Sequence, residues 1–184
     1  MRIWFVRHGE TEWNRTKRYQ GHSDIPLNES GRRQAQETAA LLAKEPLAAV
    51  YASDLKRAVE TAETIAQPHG LQVQQKPGLR ELHFGLWEGL RYEQIMEKWA
   101  NELSLMYDHP EIGCAPEGEG FSDLAKRAWP ALQALREAHQ EEDVIAVVAH
   151  GGTIRVLLCL LQDKPLQQLW SVAVEHGQAL ALDV

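Results

Sequence analysis

The sequence predicts an α/β sandwich: a mainly parallel central sheet with helices on both faces and an antiparallel edge. Two observations point there. Short apolar runs alternate with longer stretches whose apolar residues recur at helical spacing. The chain then closes on two short apolar runs with a turn signal between them, which suits an antiparallel edge rather than another crossover. With 184 residues, 44% hydrophobic and 24% charged, the chain reads as one folded domain, 1–184.

The elements follow in order. Ile3-Trp4-Phe5-Val6 is the first strand. Asn28 can cap a helix reaching about Lys44, with Ala35, Ala39 and Leu42 on one face. Ala48 to Tyr51 is a second strand, and Asp54 to Gln67 a helix with Leu55, Ala58, Val59, Ala62 and Ile65 on its apolar face. Leu71 to Val73 reads as a short strand and Pro77 to Gly89 as a loop. Tyr92 to Tyr107 reads as helix, and the Gly/Pro-rich His109 to Gly120 as loop. Phe121 to about His139 is a long helix that Pro130 is expected to kink. Asp143 to Ala149 is the most apolar strand and is expected at the centre, followed by a helix from Gly152 to Leu161. Trp170 to Val174 and Gln178 to Leu182 read as a closing hairpin turned at His176-Gly177.

Composition narrows the partners. The formal net charge is -7, which argues against nucleic acid or an anionic membrane as the main partner. A small anionic substrate stays compatible, because a few converging cations govern a pocket whatever the total charge. Cys114 and Cys159 make no disulfide framework, and Cys159 lies in an apolar run that suggests core. The apolar start, Met1 to Val6, is too short for a signal-peptide core or a span, so the cytoplasm is the expected compartment. Homodimer formation through an edge strand or helix face is left open.

Ligands of such sheets sit at the carboxyl ends of strands. That rule selects His8, after the first strand, and His150, after the central one, with Ser53-Asp54-Leu55 leading to Arg57 by the same logic. In Arg7-His8-Gly9-Glu10-Thr11, arginine can give bidentate donors to a phosphate. A neutral histidine can act as a nucleophile, and Gly9 lets the backbone come close. An isolated Arg-His pair is equally what a polar strand end looks like. There is no HExxH, paired CxxC, P-loop or GxGxxG, so no metal or other cofactor is expected.

The longer segment Arg7-His8-Gly9-Glu10-Thr11-Glu12-Trp13-Asn14 resembles the signature of the histidine phosphatase superfamily. Four further blocks follow in that family's order: Gly21 to Gly31, Ser53 to Ala62, Leu79 to Gly89, and Ala149 to Gly152. The resemblance implies the phosphoglycerate mutase-like fold and a metal-independent phosphomonoesterase that acts on a small phosphorylated metabolite. It implies His8 as the transiently phosphorylated nucleophile, with Arg7, Arg57 and His150 around the phosphate. Glu81 is implied as proton donor to the leaving oxygen and then base for water, which calls for a raised pKa. His150 would help most as a cation, so its surroundings are expected to favour charge. The Gly151 N–H is a further donor, and Asn14 and Gln20 resemble positions that touch phosphate or orient the pocket.

Lesser residues carry plainer expectations. Glu10 orients the site, Glu12 is a surface charge, and His22 and His83 are hydrogen-bonded loop residues. His69, His109, His139 and His176 are surface groups, and Trp13 and Trp87 are candidates for the pocket mouth. Leu82 and Gly152 stand where the family's mutases usually carry Arg and Asn. The segment Asn101 to Gly120 lacks Arg and Lys and holds Asp108, Glu111, Glu117 and Glu119. It reads as an acidic lid that disfavours a carboxylate-rich substrate. Leu82-His83-Phe84-Gly85-Leu86-Trp87-Glu88-Gly89 and Pro116-Glu117-Gly118-Glu119 are similar to the α-ribazole-5′-phosphate phosphatases. That substrate therefore leads. A broad-specificity phosphatase, a phosphoglycerate mutase, a protein phosphatase and a non-catalytic binding relative follow in that order.

Overall fold

The computed structural model describes residues 1–184. Five strands form one sheet: β1 (Arg2–Arg7), β2 (Leu47–Ala52), β3 (Val73–Gln75), β4 (Val144–Ala149) and β5 (Ala179–Asp183), in the order β3-β2-β4-β1-β5. All neighbours are parallel except β5, which runs antiparallel to β1 at the edge. The predicted mainly parallel sheet with an antiparallel edge is therefore the observed one, and β4 is its central strand.

The two faces follow from the period of two along each strand. Ile3, Phe5, Tyr51, Ile145 and Val147 point to one core, packed by α4 (Tyr92–Asp108), α5 (Phe121–Glu137) and α6 (Gly151–Leu161). Val6, Val50, Ala52, Ala146 and Val148 point to the other, packed by α2 (Glu29–Leu42) and α3 (Lys56–Ala66). Cys159 is buried, as its apolar run suggests. A four-residue helix, α1 (Glu12–Arg15), not foreseen, starts at Thr11, whose side chain caps it and pairs with Asn14. Asn28 caps α2 through the Gly31 N–H. No helix is long and apolar enough to cross a membrane.

Three local expectations fail for physical reasons. The tail has no strand from Trp170 to Val174; Leu166–Ser171 is a 3-10 turn and the following residues are irregular. The carbonyls of Val172 and Val174 are taken by the guanidinium groups of Arg155 and Arg7 instead of a neighbouring strand. The third strand begins at Val73 rather than Leu71, because the Leu71 N–H still bonds back to the Ala66 carbonyl of the preceding turn. α5 runs unbroken through Pro130; Pro130 and Lys126 both face solvent, where water can satisfy the carbonyl the ring leaves free. The kink falls in α4 instead, at Trp99, with φ -136° and ψ 41°.

Candidate active site

The strand order places the site. β2, β4 and β1 are neighbours and parallel, so the segments leaving their carboxyl ends emerge side by side. Those segments carry Arg57, His150 and His8. The His8 N–H donates to the Ala149 carbonyl at 3.0 Å, tying the two histidine loops together, and the two imidazole centres lie 5.0 Å apart. Arg7, His8, Asn14, Gln20, Arg57, Glu81 and Gly151 line one cavity of about 410 Å³. His150 is fully buried directly behind this lining, against the ring of His8. The residues implied for catalysis and phosphate binding are thus brought together.

His8 is held in one tautomer. Its Nδ1 lies 2.7 Å from the Gly9 carbonyl. A carbonyl only accepts, so Nδ1 carries the proton and Nε2 of the neutral ring keeps a lone pair. Burial first, then the charges of Arg57 and Arg7, push its pKa well below the ordinary histidine value, so the ring is neutral near pH 7.

Arg57 is fully buried. It donates to the carbonyls of Ser23, Gln20 and Gly21 at 2.8, 3.1 and 2.7 Å. A hydrogen bond to a charged group contributes about 1.5–3 kcal/mol, so three offset much of the burial cost. Burial still pushes Arg57 down to about 10, which leaves it a cation. Arg7 donates to the Val174 carbonyl at 2.6 Å, and burial lowers its pKa too. Arg7 Nε, Arg57 Nε and both ring nitrogens of His150 are buried without a partner. Buried donors in that state cost about 1–3 kcal/mol each, and converging ones suit a tetrahedral oxyanion.

His150 corrects an expectation. Its surroundings do not favour the cation: burial, then Arg57, then His8, push it well below the ordinary value. Protonation there requires an anion in the pocket.

Glu81 reaches the first turn of α6, where helix N–H groups lack partners. It accepts from the N–H groups of Gly152 at 3.0 Å, Thr153 at 3.2 Å and its own neighbour Leu82 at 2.9 Å. Gly152 makes this approach possible, since a Cβ there would stand 2.5 Å from Glu81 Oε1. Gly151 lines the cavity as the first residue of α6, an N-terminus that favours negative charge. The loop bearing Glu81 is fixed by Arg127, which sequence reasoning missed. All five of its N–H donors are used: two on Glu119, and one each on the carbonyls of Gly78, Arg80 and Glu81. Burial opposes the charge of Glu119, yet hydrogen bonds from Arg127 and the His83 N–H hold its pKa below the usual carboxylate range.

Asn14 and Gln20 act as a pair. Asn14 Oδ1 accepts from the Thr11 N–H and from Gln20 Nε2, and the single Thr11 hydroxyl proton lies between Gln20 Oε1 at 2.7 Å and Asn14 Oδ1 at 3.0 Å. That leaves the Asn14 amide NH₂ for the cavity. Glu10 lies outside the lining and accepts from Asn28 at 2.7 Å. The His22 ring bonds the Glu81 carbonyl at 2.9 Å, and His83 stacks beside His22, so both serve the loop as expected.

The mouth differs from its expectation. Trp87 is buried in the core and Trp13 packs on Gly89; neither lines the cavity. Phe84, Tyr19, Tyr107, Trp170 and Phe121 form an aromatic collar instead, each ring within 5.0 to 5.6 Å of a neighbour and the Tyr19 and Tyr107 hydroxyls 2.7 Å apart. The segment 101–120 contributes Met106 and Tyr107 to the cavity and none of its acids. Asp108 is bonded to Ser104, Glu111 lies by His109, and Glu119 is held by Arg127. The lid is therefore apolar and aromatic on its pocket face, not acidic. Lys17, Arg18 and Arg155 also line the cavity, unforeseen, and so does His176, which was expected at the surface but is turned inward with its Nε2 buried. Arg155 follows Gly151 by one helical turn, the one such residue a spacing argument could have found. His139, expected on the surface, is largely covered and bonds Asp143 and Tyr51 at 2.9 Å each.

The profile of the histidine phosphatase superfamily (branch 1) matches residues 3–184. The chain belongs to that superfamily. It is 32% identical to the adenosylcobalamin/alpha-ribazole phosphatase of Escherichia coli K12 over 184 residues, covering all of this chain and 90% of the relative. It is 32% identical to phosphoserine phosphatase 1 of Hydrogenobacter thermophilus over 177 residues, 96% of this chain and 83% of the relative. The solved structure of Bacillus stearothermophilus YhfR superposes with a TM-score of 0.93 at 33% identity, over 100% of this chain and 91% of that one. This phosphatase therefore shares a family whose members act on small phosphorylated substrates. No group of three or more His, Cys, Asp or Glu side chains is placed to hold a metal ion.

Proposed function

We propose that this chain is a metal-independent phosphomonoesterase working through a phosphohistidine on His8, with α-ribazole-5′-phosphate as its leading substrate. The observation that carries the mechanism is the tautomer of His8, whose free Nε2 faces a pocket of buried donors. His8 Nε2 attacks phosphorus; the N–P bond forms as the bond to the leaving oxygen breaks, and Glu81 gives that oxygen a proton. Glu81 then takes a proton from water, whose oxygen attacks the phosphohistidine and releases inorganic phosphate and neutral His8. Arg7, Arg57, the Gly151 N–H and the Asn14 amide stabilise the equatorial oxygens as charge builds. His150 gains a proton when the phosphate arrives and adds a cation only then.

The aromatic collar supports the substrate reading. A flat benzimidazole base would lie against Tyr19, Phe84, Tyr107, Phe121 and Trp170 while the phosphate reaches His8. The relatives named for α-ribazole add to that support. One observation favours a second reading: Lys17, Arg18 and Arg155 line the same cavity. They suit a substrate with a second anionic group, such as phosphoserine, the substrate named for another relative. A mutase reading has less behind it, since Leu82 and Gly152 replace the residues its members usually carry.

The test is hydrolysis by purified protein in excess EDTA of α-ribazole-5′-phosphate, phosphoserine, 3-phosphoglycerate and p-nitrophenyl phosphate. The expected result is a kcat/KM for α-ribazole-5′-phosphate at least about tenfold above phosphoserine. The reverse order favours the second reading. Loss of all activity in EDTA removes the metal-independent mechanism.

A further inference from the structure

His176 belongs to no motif, yet the fold delivers it to the pocket floor. The turn that carries it is fastened to the end of β1 from both sides. The Arg7 N–H donates to the Gln178 carbonyl at 3.1 Å, and the Gly177 N–H donates to the Arg7 carbonyl at 3.0 Å. The Arg7 side chain holds the Val174 carbonyl, and the Thr38 hydroxyl holds the Gly177 carbonyl at 2.5 Å. Gly177 itself has φ +72°, and a Cβ there would stand 2.8 Å from Gln34 Cβ. This position therefore calls for glycine on both conformational and steric grounds. The turn is a built feature, not a loose end.

What it presents is a third imidazole. The His176 ring centre lies 5.7 Å from that of His8, against 5.0 Å for His150. Its Nε2 is buried without a partner, like Arg7 Nε, Arg57 Nε and the ring nitrogens of His150. Residues from four separate segments, each with an orphaned nitrogen, thus meet in or directly behind the His8 cavity. Burial, then the charge of Arg7, pushes His176 down to about 4, so the ring is neutral at neutral pH and can act as an uncharged donor.

We propose that His176 is a further substrate-contacting residue, donating Nε2–H to an oxygen of the phosphoryl group as it passes to and from His8. This rests on the reading of the cavity as a phosphomonoester site. A neutral donor adds a hydrogen bond where the arginines already supply the charge.

The experiment titrates inorganic phosphate into wild type, His176→Ala and His176→Gln by calorimetry. The same three proteins are followed for p-nitrophenyl phosphate kinetics and thermal unfolding. Removing one donor to a charged ligand should weaken phosphate binding by about tenfold or more and lower kcat/KM at least as much. His176→Gln, which keeps an N–H, should recover part of both. Unfolding temperatures close to wild type separate this from a structural role. Phosphate affinity within about twofold of wild type in both variants overturns the proposal. Wild type that binds phosphate without hydrolysing any ester would remove the catalytic reading, while the phosphate titrations still decide His176. No phosphate binding by wild type overturns both.

Discussion

The floor and the collar of the cavity are built in opposite ways. The floor is backbone-anchored: His8, His150 and Arg57 follow the ends of three adjacent parallel strands, and each is buried. The collar is assembled from side chains of distant origin: Tyr19 and Phe84 from loops, Tyr107 from the end of α4, Phe121 from the start of α5 and Trp170 from the tail. It is tied by ring contacts, a hydroxyl pair and the Trp170 indole N–H, which donates to the Tyr107 carbonyl at 3.2 Å. The floor tolerates little displacement, since His8 and Arg57 also hold main-chain carbonyls and His150 is fully buried against His8. The collar can change composition without moving a strand. On the proposed reading, chemistry resides in the floor and discrimination between leaving groups in the collar.

The comparison can be broken most decisively at the floor. His8→Asn should reduce p-nitrophenyl phosphate turnover by roughly a thousandfold or more, because no other group is placed to attack; near-wild-type rates would contradict the assignment. Next comes Glu81→Gln, expected to slow alkyl phosphomonoesters by about 10²–10⁴ and p-nitrophenyl phosphate much less, since a good leaving group needs no proton. Equal slowing of both would remove Glu81 from the acid role.

A change between the two regions should show a mixed effect. Arg127→Met leaves the half-buried Glu119 without its cation and releases the carbonyls of Gly78, Arg80 and Glu81. Losing charge-assisted hydrogen bonds at a half-buried site costs about 1–3 kcal/mol, so the urea midpoint should fall together with kcat. In the collar, Trp170→Ala should raise KM for α-ribazole-5′-phosphate several-fold, on the order of the 0.5–1.5 kcal/mol of an aromatic contact, with little change in inorganic phosphate affinity. A parallel loss of phosphate affinity would mean that the two regions are not separable.

The smallest effect is a proton count. Burial and the arginines depress His8 and His150 in the free protein. A bound dianion favours their charged forms, so their pKa values rise on binding and protons are taken up. Calorimetric titrations of phosphate above pH 7.5, in buffers of different ionisation enthalpy, should report net uptake. Net release would contradict the sign.

The sequence made the floor readable because its residues sit directly after apolar runs and inside contiguous blocks, where local order and spatial order coincide. The sheet was readable for the same reason: each strand is one apolar run, and the alternation of runs dictates crossovers. The collar was not readable, because Tyr107, Phe121 and Trp170 are aromatic residues of the sort that usually fill cores, and only tertiary packing turns them to a common mouth. Trp170 to Val174 was misread as a strand because its alternating apolar residues satisfy the pattern, while the arginines that take its carbonyls lie far away in sequence. His176 and Arg127 were missed for a related reason: a single polar residue carries no period, and its partners come from other segments.

The most direct test of the account is to mix enzyme with p-nitrophenyl phosphate in EDTA, quench in alkali during turnover, and map phosphate by mass spectrometry. The account predicts an acid-labile phosphate on His8 alone, formed and lost at rates that support turnover, and absent from His8→Asn. Sustained turnover with no phosphate on the protein, or with phosphate on another residue, would contradict it.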